Sequence, residues 1–200
     1  ATVINNIMVD NGFLRQTDGT LSTGSRGNIR VDALSLTGTT LDYDLFSPIG
    51  SRCAAGANGG AVCTVASECP GSTCTVGIQI YWGGTGYTTL ALFKAAQPTQ
   101  EINGLQANPL LAAPAPPAQR PAAAPYNVAV NVGDNHITAG SPAIDSANAN
   151  APSEPTLDIE GYARVDDPAT VDTGAGTRTY DDRGAYEFQP PPTPTPTPTV

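Results

Sequence analysis

Chemistry in this chain falls mainly to carboxylates. Its 200 residues hold 18 Asp+Glu against 9 Lys+Arg, with one His, His136, and one lysine, Lys94. Glycoside hydrolysis needs two carboxyl groups about 5–9.5 Å apart, and acids pair in sequence at Asp42/Asp44 and Asp166/Asp167. β-Elimination on a uronate needs an Arg or Lys base beside acids, yet the single Lys94 falls in a helical pattern. Asp42 and Asp44, at alternate strand positions with Arg30 and Asp32 nearby, read as a solvated face. His136, in Gly133-Asp134-Asn135-His136, reads as a turn residue. Nucleophile elbow, phosphate loop and H-E-x-x-H patterns are all missing. The expectation is therefore no catalytic site.

Oxygen-rich loops suit a hard cation such as calcium. Candidates are Asp10/Asp18, Asp42/Asp44 and the loop of Asp166, Asp167 and Asp172. Neither EF-hand nor nonapeptide spacing accompanies them, so solvated acids are the preferred reading and no cofactor is expected.

The four cysteines, Cys53, Cys63, Cys69 and Cys74, follow C-x9-C-x5-C-x4-C. Structural zinc prefers two C-x(2–4)-C pairs, and only Cys69/Cys74 comes near that. Two disulfides pinning a loop fit better, with three pairings open and the sequential one most local. Each bridge adds about 2–4 kcal/mol. Disulfides belong to oxidising compartments, so an extracellular or cell-surface location is expected.

The net charge of −9 argues against nucleic acid, which is bound through clustered Lys and Arg. No apolar run nears the ~20 residues that span a bilayer. An apolar fraction of 40% is enough for one core.

The elements that would position these groups are short and alternating. Thr2 to Asp10 reads as a strand with Val3, Ile7 and Val9 sharing a face and Asn5 turned inward at a bend. Ile29/Val31, Leu41/Tyr43/Leu45, Val76/Ile78/Ile80/Trp82 and Val128/Val130/Val132 repeat the period of two. Only Thr88 to Gln97, around Leu90, Leu92, Phe93 and Ala96, has helical spacing. The 22-residue step from Val9 to Val31 falls within solenoid repeat lengths of roughly 20–50. Pattern alone leaves sandwich and solenoid even. Residues 112–125 are a Pro/Ala surface connection, and 190–200 a Pro/Thr tail favouring polyproline II.

Three segments near the end carry a likeness. Gly140-Ser141-Pro142-Ala143-Ile144-Asp145 precedes Asp158-x-x-Gly161-x-x-Arg164 and then Asp182-Arg183-Gly184-Ala185-Tyr186-Glu187-Phe188. This ordered set resembles the C-terminal end of extracellular right-handed parallel β-helix proteins. Those are pectate-lyase-like in fold, often with a variable cell-surface anchor (the choice-of-anchor type). Val3-Ile4-Asn5-Asn6-Ile7 resembles one of their coils, and Gln106-Ala107-Asn108-Pro109-Leu110 the segment before their S-P-A-I-D strand. Arg183 stands where Ile or Val is commoner, and the cysteine loop is not a standard feature.

The resemblance implies an all-β, few-coil right-handed β-helix over 1–189, with a Cys-rich insertion at 52–75, followed by the 190–200 tail. Asp145, Asp158, Gly161, Arg164, Asp182, Gly184 and Glu187 are then a fold-closing set, with a charge network among Asp145, Arg164 and Glu187. A first coil without a cap offers an edge to another copy. The expected function is a structural or adhesive surface subunit that polymerises head to tail. Val3, Ile7, Val9, Pro190, Pro194, Pro196 and Pro198 would serve that assembly. Thr193, Thr195, Thr197 and Thr199 are candidate glycosylation positions. The alternative is a carbohydrate-binding or polysaccharide-cleaving fragment, which Tyr81, Trp82 and Tyr87 ranked on one exposed face would favour. Partners on these readings are copies of the chain, or surface glycans.

Overall fold

The structure, a computed structural model, describes residues 1–9, 27–48, 50–54, 63–114 and 133–191. Strand predominates and helix is scarce. In chain order come β1 (Thr2–Ile4), β2 (Ile7–Met8), β3 (Ile29–Val31), β4 (Thr40–Asp42), β5 (Leu45–Phe46), β6 (Ser51–Cys53) and β7 (Cys74–Val76). They are followed by β8 (Ile80–Trp82), β9 (Thr85–Tyr87), α1 (Leu90–Ala96), β10 (Leu105–Gln106), β11 (Leu111–Pro114) and β12 (Gly133–Ile137). Among the described residues the sheets have two or three strands each, and they do not join into a continuous solenoid.

Three ladders are parallel: β1 on β4, β2 on β5 on β10, and β3 on β8. Thr2 faces Thr40 and Ile7 faces Leu45, so one spacing of 38 residues runs through both strands and the bend between them. The expected single strand from Thr2 is broken at Asn5, whose φ of +63° turns the chain. Tyr43, φ +57°, breaks the next level at the matching position. Asn tolerates this left-handed conformation, whereas Tyr is held there against its preference. The 22-residue step from Val9 to Val31 is not a ladder step, because Val31 pairs with Trp82.

Period-2 alternation in the short strands covers both faces of the three-stranded ladder. Met8 and Phe46 point to a core with Val31, Leu41, Ile80, Trp82, Leu90 and Phe93. Their neighbours Ile7, Leu45 and Leu105 point the other way, onto Ile137, Ala143, Ile144 and Phe188. The segment after β12 therefore packs on the outer face of the ladder. Helix α1 starts at Thr89, whose hydroxyl accepts the Leu92 amide at 3.2 Å, and it buries Leu90 and Phe93.

β6 and β7 form an antiparallel hairpin that carries both disulfides, Cys53–Cys69 and Cys63–Cys74. The pairing interleaves, unlike the most local choice, because Cys53 and Cys74 face each other across the hairpin and each reaches a partner in the intervening loop. The hairpin's own cluster consists of the cysteines alone. Two-stranded hairpins are marginal by themselves. Reduction should therefore abolish hydrogen-exchange protection at β6 and β7, a loss of about 2–4 kcal/mol per bridge, while Trp82 fluorescence stays native. Loss of the Trp82 signal in the same transition would show instead that the hairpin supports the main core.

Candidate functional site

The two bends stack into a column where polar groups are buried. Asn6 matches Asp44 in the 38-residue register. Asp44, fully buried, accepts on Oδ1 the Asn6 amide and the Asn6 side-chain NH₂, both at 2.9 Å. The expected solvated face at 42 and 44 is therefore wrong for Asp44, since the left-handed residue at Tyr43 shifts the phase of the alternation. Asp42 instead faces the next level, where its oxygens accept the Asn103 amide at 2.7 Å and side chain at 3.0 Å. Glu101, also fully buried, accepts the Asp44 amide on Oε2 at 3.4 Å and is pushed up to about 10 by burial and then by the Asp44 charge.

Arg183 closes this column, a role its sequence position did not suggest. Its Nε donates to the Ser146 carbonyl (3.0 Å) and hydroxyl (2.9 Å), Nη1 to the Asp44 carbonyl (3.1 Å) and Nη2 to the Asn103 carbonyl (3.0 Å). The main chain continues the clasp: the Arg183 amide donates to Ala143 and the Gly184 amide to the Asn5 carbonyl at 2.7 Å. Both bends and the Asn103 carbonyl of the next level thus meet one dipeptide. Gly184 has φ +96°, and a Cβ there would meet Ile7 Cδ1 at 2.9 Å. Burial lowers Arg183 to about 10, which leaves it cationic at neutral pH.

A second buried network lies beside it. Arg164 pairs with Glu187 at 2.8 Å and, more loosely, with Glu154 at 3.6 Å. Asp182 accepts the amides of Asp145 (2.8 Å) and Phe188 (2.6 Å), and burial followed by the Glu187 charge pushes it up to about 8. Burial works against the ionised form of Asp158, but the amides of Tyr162, Glu187, Glu160 and Gly161 hold its carboxyl below the usual range. Gly161, φ +89°, makes the turn that delivers them. Asp145 stands apart from the Arg164–Glu187 pair. Its carboxyl turns to the 166–172 loop, where burial and then Asp166, Asp172 and Asp167 push it up to about 7. Residues 141–145 form a buried turn and not the expected strand, with the Ser141 hydroxyl donating to the Pro109 carbonyl at 2.7 Å.

A cleft of about 720 Å³ runs between the first bend and this C-terminal segment. Ile4, Ile7 and Val9 form one wall, and Leu157, Ile159 and Tyr186 the other. Asn135 and Ile137 of strand β12 also line it, and His136 lies between them in that strand, not in a turn. Its Nδ1 contacts Asp134 at 2.6 Å, its Nε2 contacts Glu160 at 3.0 Å, and its ring lies 4.2 Å from that of Tyr186. The Glu160 and Asp134 carboxylates raise its pKa and favour the imidazolium.

The aromatic row that would favour sugar binding does not form among Tyr81, Trp82 and Tyr87. Trp82 is buried edge-on to Phe93, Tyr87 packs on Phe93 from another side, and Tyr81 lies under Arg30 at 4.4 Å. Lys94 donates to the Ile102 carbonyl at 2.8 Å. Val3 and Ile7 are half-buried, and Val9 and Pro190 also lie within the described residues. Asp10, Asp18, Val128, Val130, Val132, Thr193, Pro194, Thr195, Pro196, Thr197, Pro198 and Thr199 lie outside them, as does most of the 112–125 connection, of which Ala113 and Pro114 pair with β12. Among the described residues no helix is long and apolar enough to cross a membrane. No family model, curated protein or solved structure matches this chain.

Proposed function

We propose that this chain is an extracellular structural or adhesive surface subunit of right-handed β-helix type, which packs against copies of itself. The observation that carries the reading is the first bend. β1 pairs only with β4, and β2 only with β5, among the described residues, so each is the outer strand of a parallel ladder. Unpaired strand edges are templates for another chain. The adjoining cleft adds apolar surface, with Ile159 69% and Leu157 49% exposed. Parallel ladders sharing a 38-residue spacing, with a bend at matching positions, support stacked coils. The two disulfides support an oxidising, extracellular setting.

Sugar cleavage is less favoured. The close pair Asp44 and Glu101 is fully buried, leaving no room for a glycosidic oxygen between them. Sugar binding loses its stacking platform with Trp82 in the core.

Electron microscopy of the purified chain should show fibres with one subunit per axial repeat. Val9→Lys, which places a charge at the end of β2, should reduce them to monomers by light scattering. Monodisperse wild-type particles at high concentration would refute the reading.

A further inference from the structure

The loop after Arg164 brings two exposed acids against a buried one. One carboxylate oxygen each from Asp145, Asp166 and Asp172 lies within 4.8 Å of the others. Asp145 is fully buried, and its main chain is fixed on both sides. Its amide donates to Asp182 Oδ1 at 2.8 Å, and its carbonyl accepts the amides of Thr173 (2.7 Å) and Gly174 (3.1 Å). With φ at +50° the residue sits in the left-handed region, a cost of about 1–3 kcal/mol that the surroundings impose. Yet the side chain so placed is almost unserved. Oδ1 has only a 3.5 Å contact with the Asp167 amide, and Oδ2 has no donor among the described residues.

The neighbouring cations are engaged elsewhere. Arg178 is tied to Asp181 at 2.7 Å, Arg164 to Glu187 at 2.8 Å, and Arg183 to backbone carbonyls. The other acid of the loop is also used, since Asp167 accepts the Ala169 amide and the Thr170 hydroxyl. Asp172 is oriented by the Thr179 hydroxyl, which donates to its Oδ2 at 2.6 Å. A buried carboxylate with no donor and two acids facing it is costly unless a cation joins them.

We infer that Asp145, Asp166 and Asp172 bind a calcium ion, with Asp145 as the buried anchor and the two exposed acids closing on it. All donors are oxygen, which selects a hard cation. The exposed side leaves room for the waters that complete a shell of six to eight ligands. Clamped in this way, the ion would tie the 166–172 loop to the turn at 141–145. The inference does not rest on the assembly reading, and a monomer would bind equally well.

The test is titration of the full chain, stripped with EDTA, with calcium chloride by calorimetry and by thermal melting. One ion should bind with a dissociation constant of about 0.1–1 mM, and 10 mM calcium should raise the melting midpoint by about 4–8 °C. The double variant Asp166→Asn/Asp172→Asn alters only exposed side chains and should fold, but it should lose both responses. Absence of heat and of any shift in the wild type would overturn the site, as would a shift that survives in the double variant. An equal response to magnesium would overturn the calcium assignment.

Discussion

Arg183→Met should cost the protein about 3–5 kcal/mol of stability, measured by urea denaturation. The guanidinium serves acceptors from three separate stretches of chain, the carbonyls of Ser146, Asp44 and Asn103. A methionine of similar length fills the space but donates nothing. It leaves the carbonyls of the buried Ser146 and Asp44 short of a donor and removes a cation that acts on the Asp44–Glu101 pair. Replacing a whole buried ion group with apolar residues is often harmless, whereas removing one member is not. Arg183→Lys should recover less than half of the loss, because one ammonium cannot reach three carbonyls that a planar fork spans. The control is Arg30→Met, whose exposed pair with Asp32 should be worth under about 1 kcal/mol. A cost for Arg183→Met no larger than that of Arg30→Met would mean that the clasp contributes no stability.

The importance of Arg183 was not legible in the sequence, and the reason is physical. Its acceptors at Asn103 and Asp44 lie 80 and 139 residues away, so no local spacing signals them. As a departure from the resembled motif it suggested only an exception. Asp44 was misread for a different reason. Alternation assigns faces only while the strand is unbroken, and the left-handed Tyr43 resets the count. Asn5 was readable, because Asn is a residue that tolerates such a bend. The helix was readable too: Thr89 is a standard N-cap, and Leu90 and Phe93 are spaced for one face. The aromatic row failed because neighbours in a strand point opposite ways, so Tyr81 and Trp82 never share a surface. Turn and strand were confused at both 133–137 and 141–145. Polar residues at 134–136 are paired into a ladder by Leu111 to Pro114, and the apolar Ala143 and Ile144 are buried by a turn.

Glu101→Gln should make the protein less sensitive to rising pH. In the folded chain Glu101 holds its proton up to about 10, against an ordinary carboxyl value of 4.5. The physical cause is the site itself. Asp44 Oδ2 and Glu101 Oε1 are buried without a donor among the described residues, and a proton shared between the two carboxyls supplies one. Between those two values the folded state binds one more proton than the unfolded state. Stability is then full below about 4.5 and declines as pH rises towards 10, by at most about 1.4 kcal/mol per unit. Over pH 5–8 the wild type should lose about 2 kcal/mol through this group once relaxation of the buried pair is allowed. Asp182 and Asp145, raised to about 8 and about 7, add slopes of the same sign, so the difference between wild type and variant isolates Glu101. The glutamine NH₂ would donate permanently where the acid donates only while protonated. Denaturation midpoints should therefore converge near pH 5 and separate towards pH 8, with the variant the more stable. Parallel pH curves for the two proteins would show that Glu101 is ionised in the folded chain, with Arg183 as its counter-charge.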